Sequence, residues 1–237
     1  FESPQDVGGN NVYDVTVTAS DGTLSANKAV AITVTNVNET PSVTSAGTAS
    51  FAENGTGAVY TVTGTDPDAG TTLSYSISGT DAALFNIDST TGAITFKTAP
   101  NFESPQDAGV NNVYDVTVTA SDGTLSANKA VAITVTNVNE TPSVTSASTV
   151  SFAENASGTA YTVSGTDPDA GTTLTYSISG TDAALFNIDS STGAVTFKTS
   201  PDFESPQDAG ANNVYDITVT ASDGALSASK AVAITVT

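Results

Sequence analysis

The chain of 237 residues carries 25 acids against five lysines, with no arginine and no histidine, for a formal net charge of -20. Such a charge repels nucleic acid and anionic membranes, while a 38 % hydrophobic share in alternating Val, Thr, Ile and Tyr runs argues for a folded chain rather than a disordered polyacid. Without cysteine there is no disulfide framework or zinc-thiolate site, and without histidine the remaining oxygen ligands favour Ca²⁺ or Mg²⁺.

The first element in chain order is a repeat. Phe1 to Asp6 recurs as Phe102 to Asp107 and again as Phe203 to Asp208, a period of 101 residues. Residues 1–38 match the last third of a repeat, 39–139 form a complete copy, and 140–237 form a second that is almost complete. The polar connectors Asn36 to Pro41 and Asn137 to Pro142 are too short to act as free linkers. No apolar run approaches the roughly 18 to 20 residues that span a bilayer. Residues 1–38 hold two strands, around 12–18 and 30–37, and a lone hairpin has no sheet against which to bury its apolar face. The expectation is an internal window of a longer array, or a hairpin completed by another chain.

Within 39–139 the hydrophobic period is two. Residues 59–63, 73–77, 94–96, 114–118 and 131–135 alternate as half-buried strands do, with Thr on the outward positions. Turn sequences separate them at Asp66-Pro67-Asp68-Ala69-Gly70, Ser78-Gly79-Thr80, Thr91-Gly92 and Asp122-Gly123. Residues 81–85 predict one short helical turn with Asp81 as its N-cap. About seven short strands in a hundred residues predict an all-β Greek-key sandwich, its core drawn from Phe51, Val62, Leu73, Tyr75, Ile77, Phe85, Ile87, Ile94, Phe96, Val116, Val118, Ile133 and Val135.

The acids recur with the repeat, and a catalytic site is normally built once. So many carboxylates brought together without a counter-ion would oppose compaction, which points to a bound cation. A carboxylate pair for glycoside cleavage is the competing chemistry. Repetition of every acid, and the absence of Trp and Arg to line a sugar cleft, argue against an enzyme. Asp81, Asp88, Asp107 and Asp115 read as caps, turns and solvated surface, and Tyr13, Tyr114 and Tyr215 as packing residues. The glycosylation patterns at Asn54 and Asn155 are assigned no role in a chain so rich in Asn and Thr.

Several short motifs together resemble tandem cadherin repeats, in particular the cadherin-like repeats of large bacterial surface adhesins. Phe51-Ala52-Glu53-Asn54 is similar to that family's proline-glutamate-asparagine motif, and Asp66-Pro67-Asp68 to its aspartate-x-aspartate loop. Residues 85–94 are similar to its mid-repeat signature, Asn101-Phe102-Glu103 to aspartate-x-glutamate, Ala120-Ser121-Asp122 to alanine-x-aspartate, and Asn137-Val138-Asn139-Glu140 to its linker. The resemblance implies tandem cadherin/immunoglobulin-like sandwiches in a linear array, with Ca²⁺ held between domains. For the second junction it implies ligands Glu53, Glu103, Asn137, Asn139, Glu140, Asp167, Asp169 and Asp223, with three ions. The first junction would use Glu2, Asn36, Asn38, Glu39, Asp66, Asp68 and Asp122, with fewer ions because the counterpart of Glu53 is missing. Glu154, Asp202 and Glu204 would await a following connector. Asn36, Asn101 and Asn137 stand where aspartate is commoner, and each exchange should weaken one ion.

What the resemblance implies for function is a calcium-stiffened rod, spacer or filament of an extracellular, cell-surface or secreted adhesion protein, its partners the neighbouring repeats of the same protein. The alternative is that the repeats themselves bind a partner, through homophilic contact or cell-surface polysaccharide.

Overall fold

The computed structural model describes all residues, 1–237, and the chain divides into two units, Phe1–Asn137 and Val138–Thr237. The first unit opens on a hairpin of β1 (Val12–Ser20) and β2 (Ser25–Thr33), turned by Asp21, whose carboxylate accepts the backbone N–H groups of Thr23 (2.8 Å) and Leu24 (2.7 Å). There follow β3 (Ser42–Val43), β4 (Thr48–Ala52), β5 (Ala58–Thr61), β6 (Gly64–Thr65) and β7 (Ser74–Ser78), a 3₁₀ turn at Ala82–Leu84, then β8 (Phe85–Ile87), β9 (Ala93–Phe96), β10 (Val113–Ser121) and β11 (Ser126–Thr136). The second unit repeats this order as β12 (Ser143–Val144), β13 (Thr149–Phe152), β14 (Thr159–Thr162), β15 (Gly165–Thr166), β16 (Thr175–Ser179), a 3₁₀ turn at Ala183–Leu185, β17 (Phe186–Ile188), β18 (Ala194–Phe197), β19 (Val214–Ser222) and β20 (Ser227–Val236).

In each unit the long strands form a four-stranded sheet, β4-β11-β10-β7 or β13-β20-β19-β16, in which the first pair runs parallel and the others antiparallel. A three-stranded antiparallel sheet, β5-β9-β8 or β14-β18-β17, supplies the other half of the sandwich. The predicted all-β Greek-key sandwich is therefore what forms. Alternate residues Val116, Val118, Val131, Ile133 and Val135 of one sheet meet Val62, Phe85 and Ile94, each at most 3 % exposed. Phe96 sits edge-on to Tyr114 with centroids 5.0 Å apart and lies 4.4 Å from Phe85, and Phe197 repeats the arrangement with Tyr215 and Phe186.

Two local readings need correction. A register shift between Ala58 and Tyr60 turns both Val59 and Tyr60 inward, so strict alternation fails at that bulge, and both join the core. Leu73 precedes β7 and is half-buried, outside the core cluster, whereas Tyr114 and Val131 belong to it. Gly92 holds φ at 73°, and a Cβ there would stand 2.3 Å from the carbonyl oxygen of Val62, so the Thr91-Gly92 turn requires glycine.

The loop before β10 places Val110 at φ 51°, a backbone region costly for a β-branched residue. The equivalent residue of the first copy is Gly9, at φ 62°. Val110 is 68 % exposed and loses little packing on truncation. Val110→Gly should therefore stabilise the first unit by about 0.5 kcal/mol, relieved strain outweighing the entropy of the added glycine, and thermal unfolding would register it as a higher Tm.

Candidate metal centre

The sequence Asp66-Pro67-Asp68-Ala69-Gly70 turns the chain without help from any other segment. The Asp66 carboxylate accepts the N–H of Asp68 at 2.8 Å, and Gly70 takes φ 87°. This points the Asp68 side chain at the connector, where one of its oxygens accepts the Glu39 N–H at 3.0 Å and the other accepts the Asn36 side-chain amide. Asp122 shapes the β10–β11 turn by accepting N–H groups from Thr124 (2.6 Å) and Leu125 (2.7 Å), and its second oxygen accepts the Asn38 amide at 2.7 Å. Carboxylate oxygens of Glu2, Glu39 and Asp68 lie within 4.8 Å of one another. All seven residues expected at the first junction, Glu2, Asn36, Asn38, Glu39, Asp66, Asp68 and Asp122, thus belong to one connected group within the first unit.

The electrostatics of this group are divided. Burial, followed by the charges of Glu2 and Asp68, pushes the Glu39 carboxyl above its ordinary value of 4.5. The Asn36 amide, then the Glu39 N–H, hold Asp68 below 3.8. Asp122 is lowered as well, by the Leu125 and Thr124 N–H groups and then by Asn38. One oxygen each of Glu39 and Asp66 is buried and accepts no hydrogen bond.

The other expected ligands form partial sets inside their own units. In the first, Glu53 is 3 % exposed and accepts the Phe102 N–H at 2.7 Å, and its oxygens lie within 4.8 Å of those of Glu103. Asn137 follows the end of β11. In the second, Asn139 donates to Asp223 at 2.7 Å, the Glu140 N–H to Asp169 at 2.8 Å, and the Asp169 N–H to Asp167 at 2.9 Å, with the second Asp167 oxygen buried and without a donor. Glu154, Asp202 and Glu204 bring carboxylate oxygens within 4.8 Å of one another, and Glu154 accepts the Phe203 N–H at 2.9 Å.

A hard divalent cation fits the first-junction group. The donors are all oxygen, three carboxylates converge from separate segments, and two buried oxygens have lone pairs without a protein partner. Four of the five lysines are engaged by backbone carbonyls instead: Lys97 and Lys198 donate to those of Ala83 and Ala184 at 2.7 Å, and Lys129 and Lys230 to those of Ser45 and Ser146.

Sequence reasoning misjudged another carboxylate set. Asp81 makes no side-chain cap to the 3₁₀ turn. It is 4 % exposed and instead accepts N–H groups of Ala108 (2.8 Å) and Asp115 (2.7 Å). Asp107, 2 % exposed, accepts those of Asn111 and Asn112, both at 3.0 Å. These two are internal loop fasteners rather than solvated surface: their carboxylates are buried and accept backbone N–H groups of the loop before β10 and of β10 itself. Only their exact recurrence as Asp182 and Asp208 could have signalled it.

Residues 148–237 match the Cadherin domain family. The chain is 33 % identical over 217 residues to Protocadherin Fat 4 of Homo sapiens, an alignment covering 84 % of this chain and 4 % of that protein. It is 42 % identical over 73 residues to Halomucin of Haloquadratum walsbyi, covering 29 % of this chain and 1 % of that one. It therefore spans only a small part of the length of either relative. Among solved structures, mouse cadherin-23 EC22-24 is 25 % identical with a TM-score of 0.59, over 96 % of this chain and 75 % of that one. By sequence over residues 148–237 and by fold over nearly all of its length, the chain is similar to tandem cadherin repeats.

Proposed function

We propose that this chain is a calcium-binding segment of a repeat array in an extracellular or cell-surface adhesion protein, in which the ion stiffens the connectors between sandwiches. The repeats are 39–139 and 140–237, preceded by the partial repeat 1–38. The observation that carries this reading is the meeting of Glu2, Glu39 and Asp68 oxygens within 4.8 Å, with one Glu39 oxygen buried and without a donor. The residues that would hold ions at the first junction are Glu2, Asn36, Asn38, Glu39, Asp66, Asp68 and Asp122. At the second they are Glu53, Glu103, Asn137, Asn139, Glu140, Asp167, Asp169 and Asp223, while Glu154, Asp202 and Glu204 would begin a third.

A bound Ca²⁺ supplies positive charge and six to eight coordination positions to carboxylates that otherwise repel one another. The chain's part is to place them: the Asp66–Gly70 turn aims Asp68, the β10–β11 turn aims Asp122, and the connector carries Glu39 between them. Metal binding and the stiffening of the connector are then coupled. Oxygen-only sites of this kind suit extracellular calcium levels. The fit of a structural role is better than that of an enzyme, since the same carboxylates return at the same offsets in each copy.

Small-angle scattering of the chain with Ca²⁺ and then with chelator tests the reading. The maximum dimension should be larger and its distribution narrower with the ion, and identical curves would reject it. Sedimentation in the same two buffers separates the second reading, since calcium-dependent self-association would make the repeats the adhesive surface.

A further inference from the structure

We propose that the connector asparagines Asn36, Asn38 and Asn139 are latches that dock the connector onto Asp68, Asp122 and Asp223 without any ion, and that they trade metal affinity for this docking. The inference rests on the proposed calcium reading only for its second half; the docking itself stands on the hydrogen bonds.

The contacts are specific. The Asn36 amide donates to one Asp68 oxygen while the Glu39 N–H, three residues along, donates to the other at 3.0 Å. Asn38 donates to the free oxygen of Asp122 at 2.7 Å. In the second unit Asn139 donates to Asp223 at 2.7 Å, and the Glu140 N–H to Asp169 at 2.8 Å. The connector is thus fastened at alternate residues, to two separate turns of the sandwich that follows it. Hydrogen bonds to ionised acceptors are the stronger kind, and two of them acting on one short extended segment oppose its bending.

Residue type decides the outcome. An aspartate at position 36 would set another carboxylate against Asp68, beside Glu2 and Glu39, and without a cation the connector would be expelled. An asparagine amide presents N–H groups to the same oxygen. Turned by half a rotation, it presents its carbonyl oxygen from the same place, so it can also serve a cation without moving the backbone. What it lacks is the negative charge that raises affinity. The lowered carboxyls of Asp68 and Asp223, each with an asparagine amide as the leading cause, accord with this polarity.

The test uses the full chain and its Asn36→Asp and Asn36→Ala variants, with amide hydrogen exchange of Glu39 followed by NMR in chelator and calcium affinity followed by calorimetry. In the unaltered chain the Glu39 N–H should be protected in chelator. Both variants should lose that protection by tenfold or more, with Ile133 in the sandwich core unchanged. The two readouts should then diverge: Asn36→Asp should bind Ca²⁺ several-fold more tightly, and Asn36→Ala more weakly. Retained Glu39 protection in both variants would overturn the latch, as would a parallel loss at Ile133, which would make Asn36 a general fold residue. Glu39 protection in chelator together with no calcium binding at all would reject the calcium reading and leave the docking half standing.

Discussion

Asp81→Ala should destabilise the first unit by about 3 kcal/mol. The carboxylate is 4 % exposed and is the acceptor for two backbone N–H groups on different segments, Ala108 in the loop before β10 and Asp115 within it. Alanine would strip two part-buried N–H donors of their acceptor, and each donor left without a partner costs about 1 to 3 kcal/mol. Asp81→Asn should be intermediate, since an amide can accept at only one of the two places and turns N–H toward N–H at the other. Exchange of the Val118 and Ile133 amides should accelerate on the order of a hundredfold in Asp81→Ala. Val219 and Ile234 in the second unit, where Asp182 holds the equivalent Ala209 and Asp216 groups at 2.9 and 2.7 Å, should be unaffected. Unchanged Val118 exchange would mean that the loop finds other acceptors.

Glu39→Gln should lower calcium affinity at the first junction by about tenfold or more, because affinity at an oxygen site follows its carboxylate count. The same exchange should firm the metal-free connector. Burial and the charges of Glu2 and Asp68 raise the Glu39 carboxyl in the folded state, so its protonated form is the one that docking favours. The corresponding stability is fully present below the ordinary value of 4.5 and is lost as pH rises through the raised one. In chelator the connector should therefore tighten in mild acid, and in Glu39→Gln that pH dependence should largely vanish, leaving the opposite dependence of Asp68 and Asp122. Those lowered groups contribute above the ordinary value of 3.8, and their share is lost only as pH falls through their depressed values. Calorimetry and Glu39-region amide shifts against pH would measure both; equal calcium affinity in Glu39→Gln would remove Glu39 from the ligand set.

Much of the fold was legible because two-residue periodicity and turn sequences report burial directly. Residues 114–118 and 131–135 read as strands and lie in strands, and Tyr114 packs as expected. The first-junction group was legible through motif order rather than chemistry: Glu2, Glu39 and Asp68 are far apart in the chain, and no local pattern brings them within 4.8 Å. The loop fasteners Asp81 and Asp107 were not legible, since an Asp in a turn-rich stretch reads the same whether its carboxylate is solvated or buried against backbone N–H groups. The donor role of Asn36 and Asn38 was hidden for a related reason. A sequence names an amide but not which of its ends faces a neighbour.

One segment separates the two kinds of information. Val-Tyr-Asp-Val-Thr-Val-Thr-Ala-Ser occurs at 12–20 and again at 113–121, pairs in both places with a second strand in the same register, and so owes its β conformation and hairpin to sequence alone. Its burial is another matter. Val15 and Val17 are 42 % and 56 % exposed, while their counterparts Val116 and Val118 are 3 % and 0 % exposed. Alternation dictates which face of a strand is apolar, but that face leaves water only where β5, β8 and β9 lie across it, and Glu2, Glu39 and Asp68 likewise converge only because the folded sandwich receives its connector.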